Sequence, residues 1–215
     1  MIGQDAAKAF AYVLGVYLGD GCVTIWRSKG KSDRLNFRLN TIDEDFAKAT
    51  VSALSSLSER KVTVGCHAVS KSSKPNWYVC LSDRALCERL VSDTDGKSKI
   101  PGYVDEWPCS NKMAFIVGLM DSEGYVTAQK STIGFKSCDV WTDHFIRILN
   151  SVGILIGKIG SEILPSGKTA NRFSIKSPSW IKSGARFNIL RKQRRVDEWA
   201  AKASSETLCQ APRWG

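Results

Sequence analysis

Ala11 to Thr24, AYVLGVYLGDGCVT, and Ala114 to Thr127, AFIVGLMDSEGYVT, lie over each other without a gap. Gly15 falls on Gly118, Gly21 on Gly124, Val23 on Val126 and Thr24 on Thr127. Asp20 falls on Glu123. Each acid stands just before a glycine, at the end of an apolar run. In the first run Phe10, Val13, Leu14, Tyr17 and Leu18 recur at helical spacing; Phe115, Leu119 and Met120 partly repeat it. A second stripe is small: Ala11, Gly15 and Gly19, matched by Ala114, Gly118 and Ser122. Such a stripe leaves a helix face nearly bare, so another helix can approach closely. Glycine costs roughly 1 kcal/mol inside a helix. Two helices carrying the same costly stripe predict that the two faces meet, which sets Asp20 beside Glu123.

Two carboxylates held together repel, and one resists ionising unless a cation sits between them. A hard divalent cation suits such a pair, because it takes carboxylate and phosphate oxygens. The bland alternative is two helix ends with incidental acids ahead of a capping glycine. The duplication, with both acids in register, favours the paired reading.

Val13-Leu14-Gly15-Val16-Tyr17-Leu18-Gly19-Asp20-Gly21 and Ile116-Val117-Gly118-Leu119-Met120-Asp121-Ser122-Glu123-Gly124 resemble the two copies of the LAGLIDADG motif. That motif marks a family of homing endonucleases and related intron maturases. The resemblance is to the single-chain, two-repeat type and covers nearly the whole length. The first copy departs at Leu18, where the family often has an acid that is not the metal ligand. Glu123 is a variant that keeps the carboxylate.

The chain has 215 residues, 43% of them hydrophobic, enough for a sizeable core. No apolar run of about 18 residues predicts a membrane span, and the first residues lack a signal-peptide pattern. A formal net charge of +10 points to nucleic acid or an acidic surface as partner. The seven cysteines include no CxxC pair and the two histidines, His67 and His144, stand apart, so no zinc site is expected. The odd count suits free thiols, mostly small core residues, in an intracellular, reducing compartment. Organelle, prokaryotic cytoplasm and phage-infected cell all fit that description.

After each motif the pattern runs through strands and helices in the same order. Cys22 to Ser28 and Arg34 to Asn40 read as a hairpin, with Val23, Ile25, Leu35, Phe37 and Leu39 inward. A helix over Asp43 to Leu57 follows, then alternating strands over Lys61 to Val69 and Trp77 to Leu81. A short helix capped at Ser82-Asp83 runs through Val91. The second half repeats this: hairpin strands Tyr125 to Lys130 and Ile133 to Cys138, helix Val140 to Val152, then strands Ile154 to Leu164 and Thr169 to Lys176. A last helical region, Trp180 to Ala203, carries Lys182, Arg186, Arg191, Lys192, Arg194 and Arg195, read as a solvated face, with phosphate contact as the alternative. The expected fold is α+β: two pseudo-symmetric αββαββα repeats, each with a four-stranded antiparallel sheet, around the motif helices. The boundaries are 1–92, a Gly/Pro/Ser/Lys-rich linker 93–111, and 112–215.

The resemblance implies that the two sheets form a saddle on double-stranded DNA and that the chain acts as a monomer on a long, asymmetric site. The major groove shows each base pair as a distinct donor–acceptor pattern and accepts a two-stranded ribbon. Thr24, Trp26, Ser28, Asn36, Arg38 and Asn40 in the first half face outward. In the second half Thr127, Gln129, Lys136, Arg172 and Ser174 are their counterparts. Turn lysines Lys29, Lys31, Lys71, Lys74 and Lys168 suit phosphates. The resemblance further implies Mg2+, two or three ions at the helix-pair interface, held by Asp20 and Glu123 with the carbonyls of Gly19 and Ser122. Arg84 in the first half, and Lys176 or Lys182 in the second, are the cations expected at the reacting phosphate; Thr41 and Asp139 are expected to order water. The activity implied is metal-dependent hydrolysis of both DNA strands. The alternatives are an intron RNA maturase and a DNA-binding regulator.

Overall fold

The computed structural model describes residues 2–27, 33–67, 75–127, 132–137, 140–165, 167 and 169–209. The first half runs α1 (Ile2–Leu18), β1 (Cys22–Trp26), β2 (Arg34–Thr41), α2 (Glu44–Ser55), β3 (Thr63–His67), β4 (Asn76–Leu81) and α3 (Arg84–Thr94). A 3-10 turn over Gly102–Glu106 leads to α4 (Cys109–Glu123), β5 (Gly124–Thr127), β6 (Thr132–Ser137), α5 (Thr142–Ser151), β7 (Ile156–Ile163) and β8 (Thr169–Ile175). Helices α6 (Ser177–Lys182) and α7 (Leu190–Cys209) end the described chain. The two sheets are antiparallel and share one order, β1-β2-β4-β3 and β5-β6-β8-β7. The expected α+β architecture of two αββαββα repeats is what the chain adopts. No described helix is long and apolar enough to cross a membrane.

The small stripes meet. A Cβ on Gly15 would run into Phe115 O and lie 2.7 Å from Leu119 N. One on Gly118 would run into Tyr12 O and lie 3.1 Å from Tyr12 C. Glycine is therefore required where α1 and α4 touch backbone to backbone. Around this contact Val13, Leu14, Phe115, Ile116 and Leu119 are fully buried. Helices α2 and α3 cover the inner face of the first sheet through Phe46, Leu54, Cys87 and Leu90, against Phe37, Leu39, Val79 and Leu81. In the second half Phe135, Phe145 and Phe173 stack at centroid distances of 5.0–6.1 Å. Burying a side chain of this size contributes about 1.5–3 kcal/mol.

Several local expectations are revised. Helix α3 runs past Val91 to Thr94, because Asp83 caps it through Leu86 N at 3.1 Å and Asp95 closes it in the left-handed region. The last helical region is broken: α6 stops at Gly184, at φ 75°, and α7 starts afresh at Leu190. Of its cations Lys182, Arg186, Arg191 and Arg194 are exposed, as expected, but Lys192 and Arg195 are turned inward. Lys192 is buried, Arg191 pairs with Asp43 at 2.6 Å, Arg186 pairs with Asp197, and Arg195 donates to Val126 O at 2.6 Å. Ile25 is exposed, since it lies on the edge strand toward the hairpin end. Of the five cysteines whose side chains are described, all free thiols, only Cys87 is buried, and burial pushes it up to about 11.

Candidate active site

The motif ends build the site by turning helix directly into strand. Gly21 N donates to Val16 O at 2.8 Å, and a Cβ there would lie 2.9 Å from that oxygen and 3.0 Å from Tyr17 Cα. Gly124 is equally tight against Met120. Each glycine lets the chain double back, and the residue before it, Asp20 or Glu123, is left at the rim. The acids share one end of the helix pair: a Cβ on Gly19 would lie 2.8 Å from Ser122 Oγ and 3.3 Å from Glu123 Cγ. A cleft of about 650 Å³ opens there, lined by Asp20, Asn40, Thr41, Ser122, Thr127 and Lys192.

Two lysines hold the carbonyls at this end. Lys97 Nζ donates to Gly19 O at 2.6 Å. Lys192 Nζ donates to Met120 O at 3.0 Å and Asp121 O at 2.6 Å. Lys97 sits in a run of three left-handed residues, Asp95, Gly96 and Lys97, at φ 48°, 62° and 78°. Such backbone costs of order 1–3 kcal/mol for a residue with a Cβ. It is held by Lys97 N donating to Thr94 Oγ1 and by Trp141 Nε1 donating to Lys97 O at 3.0 Å.

The electrostatics follow from this crowding. Desolvation raises the Asp20 carboxyl above its usual value; Lys192 and then Lys97 pull it down, and Asp43 raises it. Burial pushes Lys192 down to about 8 and Asp121 up to about 6. Asp121 stands where the first motif has Leu18. It accepts from Tyr12 Oη at 3.1 Å and from Asn188 N and Nδ2, each at 3.0 Å. That carboxylate ties the turn before α7 to α4 and so aims Lys192.

The other expected cations lie elsewhere, and strand direction is the reason. Asn40 and Tyr78 pair at the acid end of the first sheet, and β4 runs away from there through Leu81. Arg84 follows at the far end, bonded to Glu88 Oε1 at 3.0 Å and to Asp33 O at 2.9 Å. The 11-residue α3 then returns about 16 Å, and Lys97, not Arg84, reaches the motif. In the second sheet Lys136 pairs with Arg172 at the acid end, while β8 leaves through Ile175. Lys176 is thus about 13 Å along the strand from that row. It lines a different cleft with Leu155, Ile181 and Trp199, and Lys182 closes α6 beyond it.

On the outward faces, Arg38, Asn40 and Trp26 are exposed, Trp26 at 61%. Asn36 is not available: it is buried, its Oδ1 accepting from Ser82 Oγ. Thr24 Oγ1 donates to the Asn36 carbonyl at 3.5 Å. Ser174 Oγ is taken by the β7 backbone, accepting from Lys158 N at 2.8 Å where a bulge shifts the register. Lys136 and Arg172 are both ion-paired to Glu162. Thr41 lines the acid cleft, its hydroxyl accepting from Asp43 N at 3.1 Å. Ser28, Lys29, Lys31, Lys71, Lys74, Gln129, Asp139 and Lys168 lie outside the described residues.

Sequence reasoning overlooked Lys97 and misread Lys192. Lys192 carried a signal: with Ile189, Val196 and Trp199 it falls on the apolar stripe of its helix, where a cation is buried. Lys97 carried none, since only the fold separates it from Lys99.

Among the described residues no cluster of three or more His, Cys, Asp or Glu converges. The donors near this end are the carboxylates of Asp20 and Glu123, hard oxygen ligands of the kind Mg2+ takes together with phosphate oxygens, while the carbonyls of Gly19, Met120 and Asp121 accept from lysines.

No family model matches the chain. An uncharacterized protein of Methanocaldococcus jannaschii, MJ0398, is 26% identical over 129 residues, which is 60% of this chain and 43% of that protein. The chain thus spans less than half the length of that relative. Among solved structures, a variant of I-DmoI in complex with its target DNA in the presence of magnesium matches with a TM-score of 0.63. It is 16% identical, over 84% of this chain and 97% of that one. The homing endonuclease I-WcaI bound to its DNA recognition sequence matches with a TM-score of 0.55 at 10% identity, over 82% and 80%. The fold is that of the single-chain, two-repeat LAGLIDADG homing endonucleases.

Proposed function

We propose that this chain is a site-specific DNA endonuclease that hydrolyses a phosphodiester in each strand of a long, asymmetric duplex. The observation that supports the reading is that the two motif helices pack so that Asp20 and Glu123 both follow the same end of the pair, a Cβ on Gly19 lying 3.3 Å from Glu123 Cγ, with Lys192 and Lys97 near Asp20. Solved relatives of this fold are held with DNA and with Mg or Mn ions, which supports duplex DNA and divalent cations as partners. Asp20 and Glu123, with the Ser122 carbonyl, would hold the ions; the Gly19 carbonyl, also expected as a ligand, is taken instead by Lys97 Nζ at 2.6 Å. Bound there, divalent ions supply Lewis-acid activation of the scissile phosphate and of water.

The chain's own groups do the rest. The ammoniums of Lys97 and Lys192, fixed on the carbonyls at the motif ends, would add positive charge near a phosphate held by the acids, and preorganised charge in a confined cleft is worth most there. Lys192 Nζ, held near 8, can give a proton to the leaving oxygen. Arg38 and Asn40 on one sheet, and Lys136 and Arg172 on the other, present donors to base edges in the major groove. The two faces differ, so a single chain reads two different half-sites without a partner copy.

The test begins with a randomised duplex pool. Duplexes retained by the protein are sequenced, and the enriched duplex is incubated with Mg2+. Double-strand cleavage is expected from the wild type. Asp20→Asn and Glu123→Gln are expected to bind the duplex and leave it intact. Undiminished cleavage by either variant removes the assignment. Binding is expected to weaken steeply with salt, because basic groups displace counterions.

A further inference from the structure

The two sheets carry an equivalent trio of residues in the outward rows nearest the acids, and the chemistry of the two trios differs. In the first sheet Asn40 pairs with Tyr78, Tyr78 with Gly65, and one outward step along the edge strand is His67. His67 stacks on the Tyr78 ring at 4.9 Å and 13°, which lies over Gly65. In the second sheet Lys136 pairs with Arg172, Arg172 with Gly160, and the corresponding outward step is Glu162. Glu162 Oε1 takes Lys136 Nζ, and its Oε2 takes a guanidinium N–H of Arg172 at 3.2 Å.

A carboxylate on this face needs a reason. The chain carries a net charge of +10, and a sheet that meets a phosphate backbone gains from cations alone. An exposed ion pair contributes little to folding, too little to explain an acid that repels the ligand. What the acid does supply is an acceptor. Each carboxylate oxygen has a second lone pair beyond the bond it already accepts. In the major groove cytosine presents its 4-amino donor, which Glu or Asp accepts, while guanine presents O6 and N7 to Arg or Lys. Glu162, Lys136 and Arg172 together show the complement of one G·C pair, with the carboxylate fixing both cations in place before DNA arrives.

We infer that Glu162 is the specificity-determining residue of the second half. It accepts from the 4-amino group of a cytosine beside the cut, while Lys136 and Arg172 donate to guanine O6 and N7. The first half, with Asn40, Tyr78 and His67 in the same row, has no acid there and reads its half-site differently. This rests on the endonuclease reading, and the two fail differently in the test.

The randomised duplex pool is selected in parallel with wild type and Glu162→Leu, and each enriched sequence is titrated with all single-base variants. Thermal melts confirm that the variant folds. The wild type is expected to require G·C at one position of the second half-site close to the cleaved bond, by at least about tenfold over other pairs. Glu162→Leu, which removes the acceptor, is expected to lose that requirement and to keep every preference in the first half-site. A flat profile at all second-half positions, or an unchanged G·C requirement in the variant, overturns the inference alone. A uniform rise in affinity for every sequence does the same, since it would make Glu162 a mere electrostatic brake. If no duplex is enriched at all, the inference and the endonuclease reading fall together.

Discussion

Gly15→Ala adds one methyl group at the point where α1 and α4 touch, and the structure sets its cost. The new Cβ would lie 2.7 Å from Leu119 N and 3.2 Å from Gly118 C, and would run into Phe115 O. Ordinary Cβ contacts are 3.4–4 Å, so the helices must part by roughly 0.7 Å or more. None of these atoms is the tip of a flexible side chain, so the strain belongs at the upper end of overpacking, about 3 kcal/mol. Alanine recovers about 1 kcal/mol of helix propensity over glycine. The net loss is about 2 kcal/mol, or roughly 4–8 °C of melting temperature for a chain of this size. Gly102→Ala is the control, because a Cβ there meets nothing within 4 Å. The assay is thermal unfolding of both variants beside cleavage of the selected duplex. Cleavage by Gly15→Ala should fall more than its stability predicts, since parting the helices also parts Asp20 from Glu123. A Gly15→Ala melting temperature no lower than that of Gly102→Ala would refute the close-approach argument.

Three further outcomes are expected. Lys192 is held near 8 by burial; if its ammonium serves the leaving group, single-turnover cleavage should decline as pH rises past about 8. Lys192→Arg, which stays charged but cannot give up a proton, should lower the rate and remove that decline. Asp121→Leu, which copies Leu18 of the first motif, strands Asn188 N and Tyr12 Oη without an acceptor. It should cost about 2–4 kcal/mol, with faster amide exchange at Asn188 and Ile189. Asp83 caps α3 through Leu86 N, and Asp83→Ala should cost about 0.5–2 kcal/mol. Its hydrogen bonds to Ser58 and Leu86 outweigh burial and hold the carboxyl below its usual 3.8. The folded pKa being lower than the unfolded one, the cap's advantage is present above about pH 4. It is lost as pH falls through the folded value, so the gap in melting temperature between wild type and Asp83→Ala should close in acid.

The fold was legible because the chain writes it twice. The repeated small stripe fixed which helix faces meet, and alternation in Arg34–Asn40 fixed which side of β2 is buried. The acids were legible for the same reason, since a helix–glycine junction in two copies can be aligned residue by residue. The cations were not. Arg84 and Lys176 follow strands at places that resemble an approach to the motif, but antiparallel strands reverse direction, and the approach is made by whatever comes one helix later. Lys97 depends on a left-handed turn and on Trp141, 44 residues away, which no local pattern encodes. Asn36 and Ser174 had the right parity to face DNA; side-chain bonds to Ser82 and to the β7 bulge took them out of use.

The start of α7 is held by acids from both repeats: Arg191 by Asp43, Leu190 N by Asp45, and Asn188 and Ile189 by Asp121. The halves are therefore no longer interchangeable parts. A chimera that joins this second half to a foreign first half inherits α7 without the acids that seat it, and Lys192 loses its aim. A duplicated first half fares no better, for Leu18 stands where the carboxylate would be needed. Grafting between such chains has to move Asp43, Asp45 and the 186–196 segment together, so the exchangeable unit is one repeat plus a piece of its neighbour.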